Sequence, residues 1–145
     1  MEIIVEGWRA GVQEWRDIQG VPVQELPPLS NEQREVAMKL RIPEVDYARS
    51  ALAGRRTQER LLTKTQRFAH LLEQKLQRDH EGVALTRIRL VTIEHMFQLD
   101  LTTGDRNLTV RISEDMVDDL VEGGSPSADQ QIDHVLNRVL AGQAA

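Results

Sequence analysis

The most regular hydrophobic pattern in the chain lies between residues 55 and 80. Neither Gly nor Pro interrupts this stretch. Its apolar residues recur with the period of a helix: Leu61, Leu62, Phe68, Ala69, Leu72 and Leu76. This period predicts a long amphipathic helix from Arg55 to about His80, which Gly82 ends.

Two shorter helices are expected before the long one. Ser30 and Gln33 have the spacing of a capping box, which predicts a helix that ends near Arg41. Pro43 suits a first helical turn, so a second helix should run to Ala53, with a break or a bend at Gly54. The residues offered for burial are Val36, Ala37 and Leu40 in the first helix, and Val45, Tyr47, Ala48 and Leu52 in the second.

The period changes to two after Gly82, which is typical of strands with one buried face. The inward residues are expected to be Ile88 and Leu90, then Phe97, Leu99 and Leu101, then Leu108, Val110 and Ile112. The segment TTGDRN between the last two sets has the composition of a hairpin connection. This pattern predicts an antiparallel meander of two or three strands.

The two ends of the chain add further elements. EIIVEGW near the start predicts a short strand, and the prolines of GVPVQELPPL predict an extended segment. Ser113 is expected to cap a helix closed by Gly123 and Gly124, and Ser127 with Gln130 is expected to open the last helix.

These elements indicate an α+β fold in one domain over residues 1–145. An extended N-terminal segment (1–29) precedes a helical part (30–81), in which one long amphipathic helix packs on a small β-meander (83–112). Two C-terminal helices (113–142) complete the fold.

Composition excludes several function classes. Cysteine is absent, which removes thiol catalysis, disulfides and thiolate metal sites and fits a reducing compartment. The start of the chain is acidic, and no apolar run approaches the ~18 residues of a membrane span. We therefore expect a cytoplasmic protein without a membrane partner.

The net charge of -5 hides a segregation of charge along the chain. Residues 54–80 have seven Lys and Arg against three Asp and Glu, whereas residues 1–53 have six against nine and residues 81–145 have five against eleven. At 100° per residue, six cations of the long helix fall within a sector of about 100° that is free of acids. We call them the basic stripe and expect them to face solvent and to bind a partner: Arg56, Arg60, Lys64, Arg67, Lys75 and Arg78.

An acidic helix downstream is a second candidate surface. The segment from Glu114 to Glu122 contains five acids and no base: Glu114, Asp115, Asp118, Asp119 and Glu122. The acidic helix could lie against the basic stripe within one molecule, or either surface could contact another protein or a second copy of the chain. Phosphate contact with nucleic acid and a membrane-surface role for the stripe are further alternatives.

Two tryptophans near the start, Trp8 and Trp15, share a helical spacing with Val12. Because Trp contributes a large buried area, they are expected to fix the N-terminal segment onto the core. The alternative is that they are docking aromatics for a partner.

Residues Arg34 to Leu52 resemble the two helices of a DNA-binding helix-turn-helix. Ala37, Leu40 with Ile42, and Tyr47 carry the resemblance. However, Arg41 stands where the turn usually has Gly, and the second helix begins with acids, which repel phosphate. We therefore interpret the segment as a structural helical hairpin and keep nucleic-acid binding as an alternative function.

Catalytic and metal motifs are missing from the sequence. The four histidines do not have metal-binding spacing, no G-x-S-x-G segment occurs, and the acids of the acidic helix lack the calcium-loop pattern. We expect no catalytic residues, no metal and no cofactor. The preferred hypothesis is a non-catalytic protein-interaction component: an adaptor, a chaperone or a subunit of a larger cytosolic assembly.

Overall fold

The computed structural model describes residues 1–7 and 11–143. The chain divides into two compact units. We call residues 1–7 with 61–143 the sheet unit and residues 11–60 the helical unit. The α+β class is confirmed, whereas the assignment of the whole chain to a single domain stays a prediction.

The helical unit contains α1 (Val12–Gln19), α2 (Asn31–Leu40) and the first part of α3 (Glu44–Asp79). The predicted capping box is confirmed: the Ser30 side chain accepts from the Gln33 backbone N–H, and the Gln33 side chain accepts from the Ser30 N–H. The segment after α1 is not extended throughout, because Val23–Glu25 forms a turn of 3-10 helix that starts after Pro22.

A tight turn joins α2 to α3. Arg41 has a φ of 55°, its N–H donates to the carbonyl of Met38, and the next N–H donates to the carbonyl of Ala37. These two bonds form a Schellman motif, in which a left-handed residue satisfies the last helix carbonyls. The left-handed position that usually favours Gly is therefore occupied by Arg here.

A break or a bend was expected at Gly54, and the break is wrong, because α3 runs without interruption over 36 residues. One glycine inside a helix costs about 1 kcal/mol. Gly54 and its neighbour Ala53 are both buried, and the Thr57 hydroxyl bonds the Ala53 carbonyl across this turn. Tertiary burial therefore outweighs the local preference for a break.

The sheet unit is built on four strands in the order β1-β2-β3-β4: β1 (Glu2–Glu6), β2 (Val83–Val91), β3 (Met96–Thr103) and β4 (Arg106–Ser113). The antiparallel meander of β2, β3 and β4 is confirmed. The short strand predicted near the start of the chain is confirmed as β1. Its parallel pairing with β2, which makes it the fourth strand of the sheet, was not predicted. The loop between β3 and β4 has two residues, with Gly104 at a φ of 57°.

One face of the sheet holds the core of this unit. Every residue predicted to point inward from the meander is buried. Residues 61–79 of α3 pack on this face, where the rings of Phe68 and Phe97 meet edge to face with centroids 5.2 Å apart. The amphipathic pattern of the long helix thus predicted its buried stripe, in which Leu62 alone of the six predicted residues is half-buried.

Two further helices follow the sheet, α4 (Glu114–Val121) and α5 (Pro126–Arg138), and a π-helical turn, Val139–Gln143, extends α5. Ser113 caps α4 as predicted. The cap of α5 is Ser125 and not Ser127, because Pro126 occupies the first helical position, where its missing N–H costs nothing.

Candidate functional site

The six residues of the basic stripe do not share one environment. Arg56 and Arg67 are exposed, as predicted. Lys64 and Lys75 are each only 6 % exposed. The prediction that all six face solvent is therefore wrong for these two lysines, whose ammonium groups are held inside the sheet unit by carboxylates.

Lys64 is held by the acidic helix. Its Nζ lies 3.0 Å from Glu114 Oε1 and 2.8 Å from Asp118 Oδ1. The two acids are four residues apart on α4, so they face the same side of the helix. Burial would lower the pKa of Lys64, but the hydrogen bonds to Asp118 and Glu114 outweigh it and raise that pKa. The intramolecular interpretation of the stripe thus holds at this position.

Lys75 is held by two carboxylates of α5, as Lys64 is held by two carboxylates of α4. Its Nζ bonds Asp129 and lies 2.8 Å from Asp133 Oδ1, and these acids are also four residues apart. Burial again opposes the charged form, but the two hydrogen bonds prevail and raise the pKa of Lys75. The sequence interpretation missed Asp129 and Asp133, although their spacing was a readable signal for a bridging cation.

Two other cations of the stripe form ion pairs closer to the surface. In the helical unit, Arg60 Nε lies 2.6 Å from Glu14 Oε1, and Glu14 is buried. Burial would raise the pKa of Glu14, but the hydrogen bond from Arg60 and neighbouring backbone donors lower it overall. In the sheet unit, Arg78 is exposed and pairs with Asp79 at 2.7 Å.

Arg56 and Arg67 are the remaining cations of the stripe, and neither forms an ion pair within the described chain. Arg67 borders a shallow groove in the sheet unit, with Leu71 and Val121 among its other lining residues. On α4, Asp115, Asp119 and Glu122 are exposed. Partner binding by the stripe and by the acidic helix stays a prediction. Arg56 and Arg67 and the three exposed acids are side chains that a partner could contact.

The structure describes only one of the two candidate docking aromatics. Trp8 lies outside the described residues. Trp15, on α1, is 38 % exposed, whereas Ile18 one turn later is fully buried. Neither the packing role nor the docking role expected for the pair is therefore established.

An exposed apolar surface on the helical unit was not expected. Five large residues between positions 36 and 45 are 38 to 78 % exposed, and we call them the α2 surface: Val36, Met38, Leu40, Ile42 and Val45. The sequence interpretation offered three of them, Val36, Leu40 and Val45, for burial. Only Ala37 is buried within α2, and Val45, in the first turn of α3, is also exposed, so this prediction is wrong for those three residues.

The described residues do not assemble a metal centre. Over residues 1–7 and 11–143, no group of three or more His, Asp or Glu side chains could hold a metal ion. His95 contacts Glu114, with 3.2 Å between Nδ1 and Oε2, but Glu114 also pairs with Lys64. No helix in this part of the chain is both long and apolar enough to cross a membrane.

No family model, curated protein or solved structure matches this chain.

Proposed function

We propose that this chain is a non-catalytic protein-interaction component, such as an adaptor, a chaperone or a subunit of a larger cytosolic assembly. The α2 surface is the observation that carries the proposal. Large apolar side chains gain free energy when they leave water, by roughly 25 cal/mol for each Å² buried. Five of them are exposed within ten residues, and Val36 and Leu40, four residues apart, lie on the same side of α2. A contiguous exposed apolar patch marks a surface that another protein covers.

The surroundings of the α2 surface suit a protein partner. Exposed charges of both signs lie beside the apolar residues, with Glu35 and Glu44 opposite in sign to Lys39 and Arg41. Protein interfaces commonly combine an apolar centre with a polar rim. A partner with a matching apolar patch would thus be held by burial and oriented by the rim charges.

The structure supports nucleic-acid binding less well than protein binding. Phosphate contact requires cations that are free to neutralise it. Lys64 and Lys75 each already bridge two carboxylates of the same molecule. Of the stripe, this leaves Arg56 in the helical unit and Arg67 in the sheet unit without an ion pair among the described residues, on a chain of net charge -5.

The test is to isolate the tagged chain from its native cell at low salt, with and without nuclease, and to identify what remains bound. The key variant is M38E/L40E, which places two charges on the α2 surface without removing a buried group. I93E is the matched control, because Ile93 is as exposed as Met38, at 76 % against 78 %, but lies in the β2–β3 turn.

We expect a stoichiometric protein that survives nuclease, stays with the wild type and I93E, and falls at least tenfold in M38E/L40E. A companion that binds M38E/L40E as well as the wild type would contradict the use of the α2 surface. Companions that vanish with nuclease would replace the proposal with nucleic-acid binding. A companion identical to the chain itself would identify the α2 surface as a self-assembly surface.

A further inference from the structure

The strand β4 forms one edge of the sheet. All eight of its residues pair with β3 on one side, and no strand of the described chain pairs with the other side. Alternate residues of an edge strand direct their N–H and C=O groups away from the sheet, where another extended chain can bond to them. At about 3.4 Å per residue, β4 offers an edge of about 27 Å.

A groove lies beside the middle of this strand, between β4 and α5. Its volume is about 280 Å³, and its lining residues are Thr109, Val110, Arg111, Val135, Arg138 and Val139. Side chains alternate between the two faces of a strand. Because three consecutive strand residues line the groove, we place the groove beside the strand backbone and not on one face of the sheet. α5 buries Ile132 and Leu136 in the core, which leaves the half-buried Val135 and Val139 as its apolar wall.

The charge along the groove is positive and uncompensated. Arg111 and Arg138 line it, Arg106 begins the strand, and all three are exposed. None of them forms an ion pair within the described chain. The contrast with β2 is clear, because Arg87 and Arg89 there pair with Glu2 and Glu6 of β1. Three unpaired arginines along one edge, on a chain with an excess of acids, favour an anionic occupant.

We propose that the β4–α5 groove binds an extended acidic peptide segment of another protein, which adds to the edge of β4 as a fifth strand. The peptide backbone bonds the free edge, its apolar side chains contact Val135 and Val139, and its carboxylates meet Arg111 and Arg138. Addition of a strand derives affinity from main-chain bonds and specificity from alternate side chains. The other edge strand, β1, is shorter, at five residues, and both its acids are paired with arginines.

This groove lies in the sheet unit and shares no residue with the α2 surface, so the two proposals can fail separately. The probe is a displayed library of random eight-residue peptides, selected on the full-length chain. We expect the selected peptides to be enriched in Asp and Glu that alternate with Val, Ile or Leu. Only every second N–H of an added strand bonds the neighbouring strand. Of two peptides methylated on either the odd or the even backbone nitrogens, one should therefore lose binding and the other should keep it.

The key variant is R111E/R138E, and R56E/R67E is the matched control, since all four arginines are exposed and lack ion pairs within the described chain. We expect the Kd of a selected peptide to rise at least tenfold in R111E/R138E and to change less than twofold in R56E/R67E and in M38E/L40E. Thermal unfolding checks that each variant is folded.

Three outcomes would overturn this proposal. The selected peptides could lack acidic enrichment, or they could bind R111E/R138E as well as the wild type. Alternatively, the wild type could dimerise in a manner lost in R111E/R138E, which would assign the edge of β4 to a second copy of the chain.

Discussion

Two amphipathic helical stretches of this chain differ in how far their apolar residues are buried. Residues 61–79 of α3 bury their apolar residues on the sheet, with Phe68 and Leu72 at most 1 % exposed. α2 buries Ala37 alone and leaves Val36, Met38 and Leu40 in solvent. A helical period therefore identifies the residues that would be buried together, but a second apolar surface must be present before burial occurs.

The largest expected effect is a difference in unfolding free energy between an apolar substitution in the buried stretch of α3 and one in α2. Phe68→Ala removes a fully buried ring that packs on Phe97, so the free energy of unfolding should fall by about 3–5 kcal/mol. Leu40→Ala, on α2, should change it by at most about 0.5 kcal/mol, because Leu40 is 60 % exposed. Urea unfolding of both variants measures the difference. Equal losses would show that α2 contributes to a core in solution.

A second prediction concerns the polar contacts that the buried stretch of α3 requires. The variant D129N/D133N leaves the buried ammonium of Lys75 without a carboxylate, which should cost about 2 kcal/mol after allowance for the partial exposure of both acids. Adding K75M should recover a large part of that loss, because it removes the unpaired charge.

The matched control for D129N/D133N is D115N/D119N. These two acids are also four residues apart on a C-terminal helix, but they are exposed. Their replacement should change the unfolding free energy by at most about 0.5 kcal/mol. If the two double variants unfold at the same urea concentration, the Lys75 pairs do not stabilise the sheet unit.

A third, smaller effect is expected at the start of α2. Since its large apolar residues contribute little burial, α2 should depend on its capping box, and Ser30→Ala should cost about 1 kcal/mol. Ser50→Ala is the control, because Ser50 is exposed in the second turn of α3 and caps no helix. Thermal unfolding compares the two. A Ser30→Ala protein as stable as the control would show that the cap is dispensable.

The smallest effect is a pH dependence in the helical unit. The pKa of Glu14 is lowered in the folded state, so the stability from this carboxylate is fully present above its ordinary value of 4.5. That stability is lost as the pH falls through the lowered folded value. Glu14→Gln should therefore cost up to about 1 kcal/mol at pH 7 and less at pH 3.

Urea unfolding at the two pH values measures this dependence, with Glu35→Gln as an exposed control that should differ little from the wild type at either pH. A Glu14→Gln penalty of equal size at both pH values would assign the effect to packing and not to charge.

The candidate surfaces were only partly predictable. The segregation of charge along the chain predicted the basic stripe and the acidic helix, and contact between the two within one molecule was one of the predicted alternatives. The partner of Lys75 was missed because Asp129 and Asp133 are more than 50 residues away in the chain. The β4–α5 groove was also missed, since no local pattern shows which strand will be an edge.

The elements whose signals are local could be predicted from the sequence. The capping box at Ser30, the buried stripe of residues 61–79, the alternation of the meander and the cap at Ser113 all depend on residues a few positions apart. Each of them follows from the period of a helix or a strand, or from the hydrogen bonds that a helix end must satisfy.

The tertiary structure set the features that depend on distant partners. It joined β1 to β2, kept α3 continuous through Gly54, buried Lys64 and Lys75 against their carboxylates, and left α2 without cover. The physical reason is common to all four. Burial and ion pairing are properties of two surfaces in contact, whereas the local sequence specifies one surface at a time.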